Sequence, residues 1–207
     1  MKARWFLVLL LGLVLFIAPA QALPLLDFGD GGLSGGVVTT PDNGVNIIGV
    51  GIPLGALKVF LVPGPPTFYA LGAGTVLDFN TVANTISITG TVPALGINAP
   101  IALMSGSFAS FNVNYGKGNF LDLTDATGPD AKARELLVAL GIDPLHPFNY
   151  FGFSFASIFS VSADTYIGYS TDLKNEGKVP EPISLILLGS GLAGAGLYRR
   201  LRKSKKN

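Results

Sequence analysis

Thr85-Ile86-Ser87-Ile88-Thr89 is the stretch on which the fold class turns. Polar and apolar side chains alternate with period two, so Ile86 and Ile88 share one face and Thr85, Ser87 and Thr89 the other. That is the pattern of a half-buried strand. Similar runs lie on both sides, separated by Gly, Pro and Asn clusters at short intervals. Upstream, Val45–Val50 and Ala56–Val62 read as strands joined by Gly51-Ile52-Pro53, and Thr67–Leu71 with Thr75–Phe79 reads as a hairpin over Gly72-Ala73-Gly74. The glycine-rich Asp27–Gly36 reads as an opening loop. Downstream, Ile101–Val113 reads as a longer strand broken at Gly106, and Asn119–Leu123 as a short one. Phe148–Phe159 and Ala163–Ser170 read as an aromatic hairpin over Ser160-Val161-Ser162, and Thr171–Lys178 as a polar neck.

One stretch breaks the β pattern. Pro129–Leu140 reads as a helix, with Pro129 at its first position, Asp130 and Glu135 toward its positive end, and Ala133, Leu136, Leu137 and Leu140 on one face. Gly141 follows as its C-terminal stop. The expected fold is therefore mainly β: an antiparallel, jelly-roll-like β-sandwich of about eight to ten strands with one short helix. The expected core includes Ile86, Ile88, Phe108, Phe111, Leu136, Leu137, Leu140, Phe153 and Phe155.

The two ends belong to neither pattern. Lys2 and Arg4 precede an apolar run from Trp5 to Ala18, and Ala20-Gln21-Ala22 supplies a small-x-small site for signal peptidase, with Ala18-Pro19-Ala20 as an alternative. Residues 1–22 thus read as a signal peptide with a signal helix. At the other end, Pro180-Glu181-Pro182 stiffens the chain against helix. An uncharged segment from Ile183 to Tyr198 follows, anchored by Ile183, Leu185, Leu188, Leu192 and Leu197. As a transmembrane helix it spans roughly 24 Å, short of a hydrocarbon core of about 30 Å. Arg199, Arg200, Arg202 and Lys203 then form a stop that the positive-inside rule places in the cytoplasm. The divisions expected are 1–22, an exported domain at 23–178, and a tail at 179–207.

That tail resembles the PEP-CTERM sorting signal, whose three parts it repeats in order. The same tail is also catalogued as the C-terminal domain of ice-binding proteins, a label that describes the tail. The resemblance implies recognition at Pro180, Glu181 and Pro182 by exosortase, a membrane transpeptidase-like enzyme of exopolysaccharide-making Gram-negative bacteria. The rest of the chain is similar to a group of PEP-CTERM proteins with a Leu-Asp-Phe opening, here Leu26-Asp27-Phe28. They share a strand carrying Leu, Gly and Phe, here Leu103-Met104-Ser105-Gly106-Ser107-Phe108, a Lys-containing helix, an aromatic strand and a Ser-Thr-Asp neck, here Ser170-Thr171-Asp172. This second resemblance implies a domain boundary and no chemistry.

Residues 23–178 carry six Lys and Arg against twelve Asp and Glu, a net charge of −6. An acidic exported domain without a basic stripe argues against nucleic acid. The chain has no cysteine, so neither a disulfide nor a thiolate site exists. His146 is the only histidine, and it lies between Leu145 and Pro147; a loop role suits it better than that of a general base. No Gly-x-Ser-x-Gly elbow occurs. Asp122 and Asp125 could hold Ca²⁺ with nearby carbonyls, and Asp27 and Asp30 form a weaker candidate; turn chemistry accounts for all four more simply. No other cofactor is expected. Phe151, Phe153 and Phe155 suit a core, leaving Tyr150, Tyr166 and Tyr169 as surface aromatics.

The functional expectation is an exported, non-enzymatic surface or matrix protein associated with exopolysaccharide or biofilm. It is held transiently in the inner membrane, cut by exosortase, and left at the cell surface or outside the cell. The other class that fits is a secreted carbohydrate-active enzyme or carbohydrate-binding module on the same scaffold.

Overall fold

The computed structural model describes residues 25–61, 64–116, 120–145, 148–162 and 165–177. All lie within one compact unit, Leu23–Lys178. The chain is mainly β, antiparallel, with one short helix, as expected. Among the described residues there are thirteen strands rather than eight to ten: β1 (Leu25–Gly29), β2 (Gly35–Thr39), β3 (Ile48–Pro53), β4 (Ala56–Phe60), β5 (Thr67–Ala70), β6 (Val76–Asn80), β7 (Thr85–Val92), β8 (Ile97–Ser107), β9 (Ser110–Gly116), β10 (Phe120–Gly128), β11 (Asp130–Lys132), β12 (Phe148–Ser160) and β13 (Thr165–Gly177). The helix is α1 (Arg134–Ala139).

The strands form one hydrogen-bonded sheet, ordered β11-β8-β7-β6-β3-β2-β13-β1-β4-β5, and β13 also pairs with β12, which leads to β10 and β9. The branch exists because β13 is long. One side of it follows β12 throughout, while the other pairs first with β2 at Tyr166 and Gly168 and then with β1 from Asp172 to Glu176. The layering of the core comes from this one sheet folding back on itself. Phe79 on β6 meets Phe153 and Phe155 of β12 edge-on, with ring centroids 5.4 and 5.1 Å apart. Such edge-to-face pairs add stability beyond their buried area. Phe108 continues the cluster against Phe111 and Phe151.

The expected core is buried in full except Phe111, which is half-buried at its margin. Several expected elements differ. Residues 67–71 and 75–79 do not form a hairpin: β5 pairs with β4, and β6 with β3 and β7. Gly51-Ile52-Pro53 belongs to β3 instead of joining β3 to β4. Half of Asp27–Gly36 is strand, residues 27–29 in β1 between β4 and β13 and residues 35–36 in β2, while residues 30–34 form the expected loop. The break between β8 and β9 falls at Phe108-Ala109, whereas Gly106 stays in β8 and pairs with both Ile86 and Asp130. The aromatic hairpin is present, with Ser160 opposite Thr165.

The helix is half its expected length, with Leu136, Leu137 and Leu140 buried and Gly141 at φ +69° beyond its end. Asp130, Ala131 and Lys132 are strand instead, paired with Gly106, Ser105 and Met104. Helix propensity is a weak prior, and a ladder on the open edge of β8 outweighs it here. The polar neck is also strand. Thr171, Leu173 and Asn175 turn inward from β13 while Asp172 and Lys174 turn outward.

Candidate functional site

The strand β11 brings the least expected chemistry into the core. Asp130 and Lys132 stand two residues apart on a strand, so both side chains leave the same face. Both are fully shielded from solvent and paired, Lys132 Nζ with Asp130 Oδ2. Asn175, at 0% exposure, donates from Nδ2 to the same oxygen at 2.7 Å. The amine, the amide and the carboxyl therefore converge on one atom. The Phe148 ring centroid lies 5.1 Å from Lys132 Nζ. Asp130 Oδ1, Asn175 Oδ1 and Thr171 Oγ1 are buried without a hydrogen-bond partner among the described residues. Burial disfavours the charged amine and pushes the Lys132 ammonium down to about 6.

Backbone contacts fix this arrangement. Ser107 donates to the Pro129 carbonyl at 3.1 Å and Ala133 to the Leu103 carbonyl at 3.0 Å, which clamps β11 at both ends. Gly128 lies directly against the Ser107 carbonyl, where no side chain fits. β11 and β13 are six steps apart in the sheet order, and Asp130–Asn175 joins them across the interior. Sequence reasoning missed the group because Lys132 was placed on a helix and Asn175 in a neck. Reading 171–175 with period two would have turned Asn175 inward beside Leu173.

The carboxylates proposed from sequence lie elsewhere. Asp122 accepts a hydrogen bond from the Ser157 backbone N–H at 3.3 Å. Asp125 sits at φ +51° where the β10 register shifts, and Asn112 donates to it at 3.2 Å. That conformation is open to Asp at modest cost. Among the described residues no three His, Cys, Asp or Glu side chains gather to hold a metal. Asp30 is spent on the fold: its carboxylate accepts from Gly32 N–H at 2.7 Å and from Thr171 N–H at 3.0 Å. Asp27 lies in register with both Lys58 and Lys174. Partial burial, then the Asp172 charge, pushes its carboxyl up against the opposing pull of the two lysines.

Asp125 does take part in a surface feature. With Asp172, Lys174, Tyr150, Gly152 and Ser154 it lines an open groove of about 330 Å³ on the outer face of β10, β12 and β13. Tyr150 and Tyr169 are exposed, and Tyr166 is half-buried against Phe159. Asp172 and Lys174 form an exposed ion pair at 2.8 Å, and the Asp172 carboxylate raises the Lys174 ammonium.

The signal site Ala20 and Ala22, His146, the motif Pro180-Glu181-Pro182, the apolar segment 183–198 and the basic stop at 199–203 lie outside the described residues. Among the described residues no helix is long and apolar enough to cross a membrane. Residues 178–203 match the PEP-CTERM protein-sorting motif. This marks the chain as an exported protein sorted at the membrane as an exosortase substrate. No curated protein and no solved structure matches the chain.

Proposed function

We propose that the domain at 23–178 is a non-enzymatic surface or extracellular-matrix protein that functions after exosortase removes its tail. The observation that carries this reading is the sorting motif at 178–203, which begins directly after β13 ends at Gly177. Export leaves the protein held in the inner membrane by 183–198, basic end inward, until the cut near Pro180–Pro182 frees it. Composition supports a structural role in an exopolysaccharide layer: no cysteine, one histidine and few glutamates leave little for catalysis. Mass spectrometry of the protein from a host carrying exosortase tests the first half. A mature C-terminus within or just before Pro180-Glu181-Pro182 is expected. Replacing those three residues with alanine leaves the tail attached and the protein in the inner membrane. A wild-type protein that keeps Arg199–Asn207 in such a host would refute the reading.

The groove favours a second reading, a carbohydrate-binding module or carbohydrate-active enzyme. Two carboxylates, a lysine and an exposed tyrosine on a flat sheet face suit a hydroxyl-rich ligand, with Tyr150 stacking on a sugar face. Binding on a glycan array that is lost in Tyr150→Ala supports the module. Polysaccharide hydrolysis lost in Asp125→Asn or Asp172→Asn supports the enzyme, for which two carboxylates must stand about 5 to 10 Å apart.

A further inference from the structure

We propose that Lys132 and Asn175 become joined by an isopeptide bond, formed inside the folded domain with Asp130 carrying the proton. Three observations carry it. An amine, an amide and a carboxyl meet at one oxygen, Asp130 Oδ2. All three side chains are fully buried, with an aromatic ring over the amine. Two acceptors of the group, Asp130 Oδ1 and Asn175 Oδ1, have no donor among the described residues.

The last point decides the charge state. A buried ion pair with orphaned acceptors is costly. Moving the shared proton from Lys132 to Asp130 yields a neutral amine and a neutral acid, and the acid brings the donor that those oxygens lack. Burial already holds the amine mostly neutral at pH 7. A neutral amine has the free lone pair that acyl transfer requires.

The reaction balances without a cofactor or oxidant. The Lys132 Nζ lone pair attacks Asn175 Cγ, and the Asp130 acid polarises the amide by hydrogen bonding. Asp130 then relays a proton from Nζ to Nδ2, the Cγ–Nδ2 bond breaks, and ammonia leaves. One C–N bond forms and one breaks, and Asp130 is regenerated. Holding both reactants against one carboxylate oxygen supplies the effective concentration that a lysine and an asparagine in water lack.

The bond would tie β11 to β13, six strands apart in the sheet, in a chain that has no cysteine for a disulfide. β13 is the last strand before the sorting motif, so tension at the C-terminus enters the domain through it. The inference does not depend on what the domain binds.

Peptide mapping of the folded full chain tests it. The expected product is a branched peptide joining Lys132 to Asn175, lighter by one ammonia, with trypsin unable to cut after Lys132. Lys132→Met and Asn175→Ala abolish the branch, and Asp130→Asn slows its formation at least tenfold. Asn175→Asp restores the branch with loss of water in place of ammonia. The wild-type digest decides the matter even where a variant fails to fold. Unmodified Lys132 and Asn175 in the folded wild-type chain would overturn the proposal. So would a branch between Lys132 and Asp130, or an ammonia loss confined to the Asn175 peptide, which is a succinimide.

Discussion

Lys132 sets the protein's response to pH at the scale of single residues. In an Asp130→Asn/Asn175→Ala double variant the amine stays free and has no carboxyl to hand its proton to, which leaves the burial that pushes the Lys132 ammonium down to about 6 from an ordinary 10.5. Between those limits the unfolded chain binds the proton and the folded chain does not, so unfolding free energy rises with pH. Below about 6 both states are protonated and this contribution is flat. Asp130 is the charged group in contact with Lys132 among the described residues, and the double variant removes its charge. Urea unfolding from pH 5 to pH 10 should show that rise in the double variant, and the wild-type chain, with its nitrogen held as an amide, should lack it. Phe153 is the second informative residue. It is 3% exposed, with rings of Phe79, Phe108 and Phe155 around it. Phe153→Ala should cost about 3–5 kcal/mol in urea unfolding, as ring deletions in packed cores do.

Among the elements, β11 depends most on its neighbours. Its three residues have no core of their own and are held by β8 and by the close approach of Gly128 to the Ser107 carbonyl. A methyl group at Gly128 must push the two backbones apart. Gly128→Ala should destabilise the domain by about 1–3 kcal/mol or more, the cost of overpacking. It should also lower the yield of the Lys132–Asn175 branch, because Asp130 and Lys132 move with the strand. Chemical denaturation and peptide mapping of the same sample check both effects. The expected helix lost its first turn for the same reason: Pro129 and Asp130 suit a helix start locally, but the open edge of β8 offers these residues a ladder.

For the whole molecule, β13 is the strand at which the sheet branches. It pairs with β12, β2 and β1, and its last third carries Leu173 and Asn175 into the core. A chain stopped after Ser170 loses every pairing to β1, from Gly29↔Asp172 to Leu25↔Glu176. Such a chain should fail to fold, whereas one stopped after Lys178 should keep the wild-type β signal and cooperative melt by circular dichroism. A cooperative melt from the shorter chain would show that the neck is dispensable, as its polar composition first suggests.

Local patterns in the sequence determined much of this protein. Alternation at Thr85–Thr89 and Phe151–Phe155 marked core faces, since period-two burial is a property of the strand itself. The sorting tail was legible for a related reason: a stiff motif, an apolar run and a basic stop are read in linear order. Pairing is different. Whether β5 joins β4 or β6 depends on strands far apart in sequence, and no local signal ranks them. The Lys132–Asp130–Asn175 group needed both a strand where the sequence favours a helix and a strand where it suggests a neck. Only the tertiary structure decided it, because burying an amine, a carboxyl and an amide is tolerable where they find one another, and that meeting exists only once β11 and β13 are in place.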